Sequence, residues 1–179
     1  SGIKEVVSDR RVVITSSMEG LQNTTMGALE AFLPIYAVQV AGLNAFQAGL
    51  LWGIQVLVTI LSKPIMGKMS DGYGRKPVIV AGMVLCAVSF ACVPLLQAFY
   101  LLLTAAAFFG LGEAFVTSSS AALVADICKE RHFGTAMGTF GTIFDIGHAS
   151  GPIVAGILIA RWGYLHAFWL MGAILLAAV

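Results

Sequence analysis

Residues 67–97 read GKMSDGYGRK-PVIVAGMVLCAVSFACVPLLQ: a polar, basic, glycine-rich segment, then a long run without one charged side chain. About 20 such residues suffice for a helix to cross the ~30 Å hydrocarbon core of a bilayer. Working outward, five more apolar runs of this kind stand between short polar breaks. The chain of 179 residues is 59% hydrophobic and 11% charged, with mean hydropathy +0.92. A soluble domain carries about 25% charged residues, so these charges are too few to coat a water-facing surface. The fold class expected is an all-α membrane protein, a six-transmembrane-helix bundle. Its helices are placed at roughly 12–40, 45–66, 77–97, 99–126, 133–160 and 162 to the end. Residues 1–11 are read as a polar lead-in without a signal-peptide core, and 12–179 as the transmembrane domain.

Under this topology Lys4, Arg10, Arg11, Lys63, Lys68, Arg75, Lys76, Lys129 and Arg131 share one side, and Arg161 stands alone on the other. The positive-inside rule then makes the amino terminus and both basic loops cytoplasmic. The expected location is the plasma membrane, a bacterial inner membrane, with several passes. A net charge of +1 offers no basic face for nucleic acid. Cys86, Cys92 and Cys128 form no metal-binding spacing, and no HExxH or GxSxG motif is present; no metal, cofactor or enzymatic activity is expected.

Four acids fall inside the spans: Glu19, Glu30, Glu113 and Asp145. A carboxylate at the bilayer centre costs about 2.5–3.5 kcal/mol or more, so each needs polar surroundings or a proton. At 100° per residue, Glu19, Gln22, Asn23, Met26 and Glu30 fall within an arc of roughly 100°. This stripe is expected to line a cavity, open as a groove in an isolated bundle; a polar seam gluing helices is the alternative. The fourth helix groups Phe109, Glu113, Thr117 and Ser120 in a similar arc. Asp145 and His148, one turn apart, can share a proton or form a static hydrogen bond. Gly138, Gly141, Pro152 and Gly156 lie on the Asp145 side and invite close approach by another helix.

Gly67-Lys68-Met69-Ser70-Asp71-Gly72-Tyr73-Gly74-Arg75-Lys76 resembles the G-x-[LM]-[AS]-D-x-x-G-R-[KR] signature of major facilitator superfamily transporters, with Gly72 where a basic residue is frequent. Gly138, Gly147, Gly151-Pro152 and Ala155-Gly156 resemble the family's antiporter motif, with Ala155 replacing a glycine. The resemblance covers essentially the whole chain and implies one six-helix half of a two-half transporter. The missing basic residue around Gly110–Glu113 and the linker-like opening favour the carboxy-terminal half, although the antiporter motif is best known from the first.

The resemblance implies that the first and fourth helices line a central cavity, the second and fifth meet the other half, and the third and sixth face lipid. It implies alternating access, with protons and a small organic substrate as ligands. Efflux coupled to protons is the reading favoured by the antiporter-like motif. A proton-coupled symporter of a small metabolite and a non-transporting scaffold or channel subunit are the alternatives. Glu113 is the expected proton carrier, with Asp145–His148 as a second coupling element. Arg75 is expected to pair with Asp126, with Asp71 in the same charge relay. The apolar ending at Val179 suggests a longer chain; the missing wall is then its other half, or a second copy as a homodimer.

Overall fold

The computed structural model describes residues 8–128 and 133–179. Lys4, Lys129, Arg131 and most of the lead-in lie outside the described residues. Five helices are present among the described residues: α1 Arg10–Gln39, α2 Ala45–Tyr73, α3 Arg75–Cys92, α4 Phe99–Ile127 and α5 Phe133–Ala177, with a 3-10 turn Val93–Leu95 after α3. Asp9 caps α1 by accepting from the Arg11 amide at 2.9 Å. Asn44 and Gln47 form a reciprocal capping box at the start of α2.

Four segments are long and apolar enough to cross a membrane: Ala45–Tyr73, Arg75–Leu95, Phe99–Ile127 and Phe133–Ala177. The 30-residue α1 has the length but carries the polar stripe, which lowers its hydropathy. The sequence reading of six separate helices differs at α5. This 45-residue element is a single run by hydrogen bonding, yet it contains one non-helical residue, Gly163, with φ +77°. Only glycine takes that conformation without strain, and it reverses the chain. Before Gly163, α5 passes Ile143 by Gly20 and then Gly156 by Phe32. After it, Tyr164 meets Tyr36, Phe168 stacks on Phe90, and Val179 borders one small cavity with Ile14, Thr15 and Lys76. The two arms, 133–162 and 164–177, therefore run antiparallel.

The polar segment that ends α2 is also not the loop its composition suggests. The helix continues through Gly67–Tyr73, and Gly74, at φ +97°, alone joins α2 to α3. Polar residues end a membrane span without ending a helix, which is why the expected boundary at 66 falls short.

Three seams hold the bundle, one of them between α2 and α4, where a Cβ on Gly110 would overlap the Gln55 carbonyl. Between α1 and α5, a Cβ on Gly147 would overlap the Gly20 carbonyl, one on Gly151 the Thr24 carbonyl, and one on Gly27 the His148 carbonyl. Between α3 and α4, a Cβ on Gly82 would lie 2.8 Å from the Gly112 carbonyl. Helices in lipid associate through such close packing, because lipid tails are as apolar as leucine. Beside these seams sits an apolar core with Phe90, Phe109 and Phe168 fully buried. Tyr36 is buried with its hydroxyl donating to the carbonyls of Leu96 (2.8 Å) or Pro94 (3.2 Å), which ties α1 to the α3–α4 link.

The glycines of the antiporter-like motif thus divide. Gly147 and Gly151 are buried against α1, a Cβ on Gly156 would meet only the Phe32 ring at 3.4 Å, and one on Gly138, or on Gly141 outside the motif, would meet nothing within 4 Å. Of the strip Gly138, Gly141, Pro152 and Gly156, Pro152 packs on Gly27 of α1, while Gly138 and Gly141 have no close neighbour among the described residues. We expect Gly147→Ala to destabilise the bundle by about 1–3 kcal/mol, the usual cost of overpacking. Gly141→Ala should be neutral or slightly stabilising through helix propensity. Melting of the purified variants in detergent checks both, and equal melting temperatures would remove the α1–α5 seam as the determinant.

Candidate functional site

The α1 stripe points into the bundle. Glu19, Gln22 and Asn23 are fully buried, and Glu113 of α4 is 4% exposed. Glu19 and Glu113 face the same interior, close enough to interact through charge. An open groove lined by the whole stripe is not present. The glycine seam brings α1 so near α5 that the adjoining polar face turns inward, leaving Met26 and Glu30 half-buried at its edge.

The neighbours of these carboxyls differ. Asn23 Nδ2 donates to the Glu19 main-chain carbonyl at 2.9 Å and to Glu19 Oε1 at 3.3 Å. Thr117 and Ser120 of α4 approach the Glu19 carboxyl from the other side. Gln22 Nε2 turns to the Cys86 sulfur of α3 at 3.6 Å. Glu113 Oε2 lies 3.1 Å from the Thr59 hydroxyl, which also reaches the main-chain carbonyls of Gln55 at 2.9 Å and Gly110 at 3.0 Å and can donate its one proton to any one of the three. Gln22 Oε1, Asn23 Oδ1 and the Ser119 hydroxyl are buried without a partner, while the hydroxyls of Thr117 and Ser120 turn to Glu19 and the Gln55 side chain to Glu113. Each buried polar atom left unpaired costs about 1–3 kcal/mol.

Three residues of this interior escaped the sequence reading: Gln55, Thr59 and Lys63, on successive turns of α2. Lys63 brings a positive charge into range of Glu113, and its main-chain carbonyl accepts from Ser118 at 3.2 Å. The i, i+4, i+8 spacing was the available signal, diluted by the apolar residues between.

Phe109 is not part of a polar lining. Its ring is fully buried, 6.3 Å from that of Phe90 in the apolar core. The Asp145–His148 pair is also replaced. His148 Nε2 lies 3.3 Å from Glu30 Oε2, joining α5 to α1, while Asp145 is exposed on the outer side of α5. The cause is Gly27, whose contact with the His148 carbonyl holds His148 against α1.

At the far end of α2 the loop-signature residues converge on Arg75. Its Nε donates to Asp126 Oδ2 at 2.9 Å, and its Nη1 meets Asp71 Oδ1 at 2.6 Å and Ser70 Oγ at 2.6 Å. Ser70 in turn donates to the Gly67 carbonyl at 2.9 Å. Burial opposes the Arg75 charge, but the Asp126 and Asp71 carboxylates outweigh it and raise its pKa. Gly74 supplies the turn, and Lys76 is exposed beside it. One guanidinium fork thus fastens α2, α3 and α4 together.

A family model described as Major Facilitator Superfamily matches residues 15–179. An MFS-type transporter of Methanocaldococcus jannaschii, MJ1560, is 30% identical over 159 residues, which are 87% of this chain and 41% of that protein. The multi-drug resistance efflux pump PmrA of Streptococcus pneumoniae is 27% identical over 162 residues, 88% of this chain and 40% of the pump. The chain therefore spans about two-fifths of the curated relatives it matches. A crystal structure of tetrameric PepTSo2 superposes with TM-score 0.83 at 17% identity, covering 94% of this chain and 39% of that one.

Both carboxylates on Arg75 are more than half exposed, so the cluster is worth roughly 1 kcal/mol. Arg75→Ala should lower the melting temperature accordingly. Arg75→Lys should recover only part, because an ammonium lacks the planar fork that meets two carboxylates at once. Full recovery by lysine would reduce the cluster to simple charge attraction.

Proposed function

The chain belongs to the major facilitator superfamily, and from that premise we propose that it is one six-crossing half of a secondary active transporter that exports small organic compounds in exchange for protons. The carrying observation is the buried polar interior that holds Glu19 of α1 and Glu113 of α4 within charge range of each other. A static bundle gains nothing from carboxyls placed there, whereas a transporter uses them, since adding a proton removes a charge that is costly to bury. The inward–outward balance then follows protonation, which is the physical basis of coupling.

In this reading residues 12–179 form the half-transporter domain and 1–11 its cytoplasmic lead-in, with the amino terminus on the cytoplasmic side of a bacterial inner membrane. The two arms of α5 are the fifth and sixth crossings. The other half closes the transport path against α2 and the first arm of α5, which carry exposed apolar residues such as Leu57, Ile60, Leu61, Ile146 and Ile153. Glu113 carries the proton, with Thr59 and Lys63 setting its surroundings. Glu30 and His148 form the second coupling element, in the role first assigned to Asp145 and His148. The Arg75 cluster holds the cytoplasmic ends of α2, α3 and α4 in register as the halves rock. Efflux is favoured over uptake by the likeness to PmrA and by the antiporter-like glycines.

The experiment is Glu113→Gln in the full-length transporter reconstituted in liposomes. Glutamine keeps the shape and hydrogen bonding of the side chain but cannot titrate. Transport driven by a pH gradient should be lost, while substrate exchange without a gradient persists. Proton-driven accumulation equal to that of the unaltered protein would remove Glu113 from coupling.

A further inference from the structure

At the Gly74 end of the bundle a cleft of about 210 Å³ lies between α1, α3 and α4. Its walls are apolar: Ile14 and Met18 of α1, Ile79 and Val80 of α3, and Leu123 of α4, with Val179 at one edge. A pocket for a drug-sized ligand holds roughly 300–1,000 Å³, so an occupant here is narrow. Ile14 is 47% exposed, so the cleft reaches the surface. Its rim is basic. Lys76, exposed in the first turn of α3, belongs to the lining. Arg11 stands one turn before the α1 wall, within roughly 60° of Ile14, Thr15 and Met18 at 100° per residue. The Arg11 side chain is 73% exposed and its contact with Asp9 is 3.7 Å long, a surface pair weak enough to exchange. The nearby carboxylates of Asp71 and Asp126 are held by Arg75.

We propose that this cleft binds an anionic phospholipid, with one acyl chain between the apolar walls and the phosphate held by Lys76 and Arg11. Apolar walls below a basic rim, where helices leave the bilayer, fit an amphiphile whose polar end is negative. Charge decides the headgroup. A zwitterionic lipid brings a cation of its own to a rim that is already positive. Inorganic phosphate satisfies the rim but leaves the apolar walls uncovered. An occupied cleft bridges α1 and α3, so binding adds to the stability of the folded bundle. The site lies apart from the interior that holds Glu19 and Glu113, and it does not rest on the reading of proton-coupled export.

The test is thermal melting of the purified, delipidated full-length protein in detergent, titrated with phosphatidylglycerol, phosphatidylethanolamine or phosphatidylcholine of matched acyl chains. A ligand that binds only the folded state raises the melting temperature with its concentration. A saturable rise with phosphatidylglycerol is expected, at concentrations where the two zwitterionic lipids and inorganic phosphate have little effect. Arg11→Ala and Lys76→Ala should each shift it to about fivefold higher concentration, the equivalent of roughly 1 kcal/mol for one basic residue at a membrane surface. Lys68→Ala removes an exposed charge outside the cleft and should leave the response unchanged. Val80→Phe should abolish the response by filling the cleft while every charge remains. An equal shift in Lys68→Ala overturns the proposal in favour of diffuse charge attraction. An equal response to phosphatidylethanolamine or to inorganic phosphate overturns the anionic phospholipid as occupant. Absence of any saturable response, as when a further stretch of the full-length chain fills the cleft, overturns the site itself.

Discussion

Where Gly147 of α5 meets the Gly20 carbonyl of α1, and Gly27 meets the His148 carbonyl, no side chain separates the two helices. Much else is set by that approach. Without a hydrophobic drive between helices in lipid, their rotation is fixed by where their backbones come closest. On α1 the glycine face lies roughly 80° from the line of Glu19, Asn23 and Glu30 at 100° per residue. Seating the glycines on α5 therefore turns Glu19 and Asn23 toward α4 and leaves Glu30 at the seam's edge, within reach of His148. Bulk added at Gly20 or Gly27 would rotate or displace the whole polar stripe.

The acids are sorted by this geometry into different electrical situations. Near the membrane surface Asp71 and Asp126 bracket one guanidinium, in a fork that water can still reach. Glu30 meets the His148 imidazole at 3.3 Å. Glu113 is placed between a threonine hydroxyl and a lysine from α2. Glu19 has the amide of Asn23 and the hydroxyls of Thr117 and Ser120 beside it, with Glu113 in charge range. A single bundle thus offers its carboxyls surroundings that range from a shared guanidinium at one end to neutral amides and hydroxyls in the interior.

The sequence discloses what is local. The α1 stripe follows from helical period, and the membrane class from charge depletion. The family follows from the Gly67–Lys76 signature and the helix 5 glycines, and the model matching residues 15–179 agrees. The Arg75–Asp126 contact, expected from the resemblance, is present in the structure. Contacts across the bundle were less visible. His148 was read with Asp145 because they share a helix turn, but the partner sits on α1. Gln55, Thr59 and Lys63 gain their meaning only from Glu113, on a helix far along the chain. Phe109 shares an arc with Glu113, yet 100° per residue cannot tell which part of that arc reaches the apolar core. The α2 boundary shows the converse limit, since hydropathy reports the membrane and not the helix.

A gradient of satisfaction runs through the molecule. At the Gly74 end the Arg75 cluster is fully partnered. At the Gly163 end Tyr36 is hydrogen-bonded and the aromatic rings stack. Between them lie the polar side chains of Glu19, Gln22, Asn23, Gln55, Thr117, Ser119 and Ser120, with the Gln22 and Asn23 amide oxygens and the Ser119 hydroxyl unpartnered. A bundle selected for stability alone would replace those residues with leucine or alanine, because a half-satisfied polar network is worse than an apolar core. Firmly packed ends with a polar centre suit the alternating access proposed above: in that proposal the ends hold each helix in register and the centre meets the ligand.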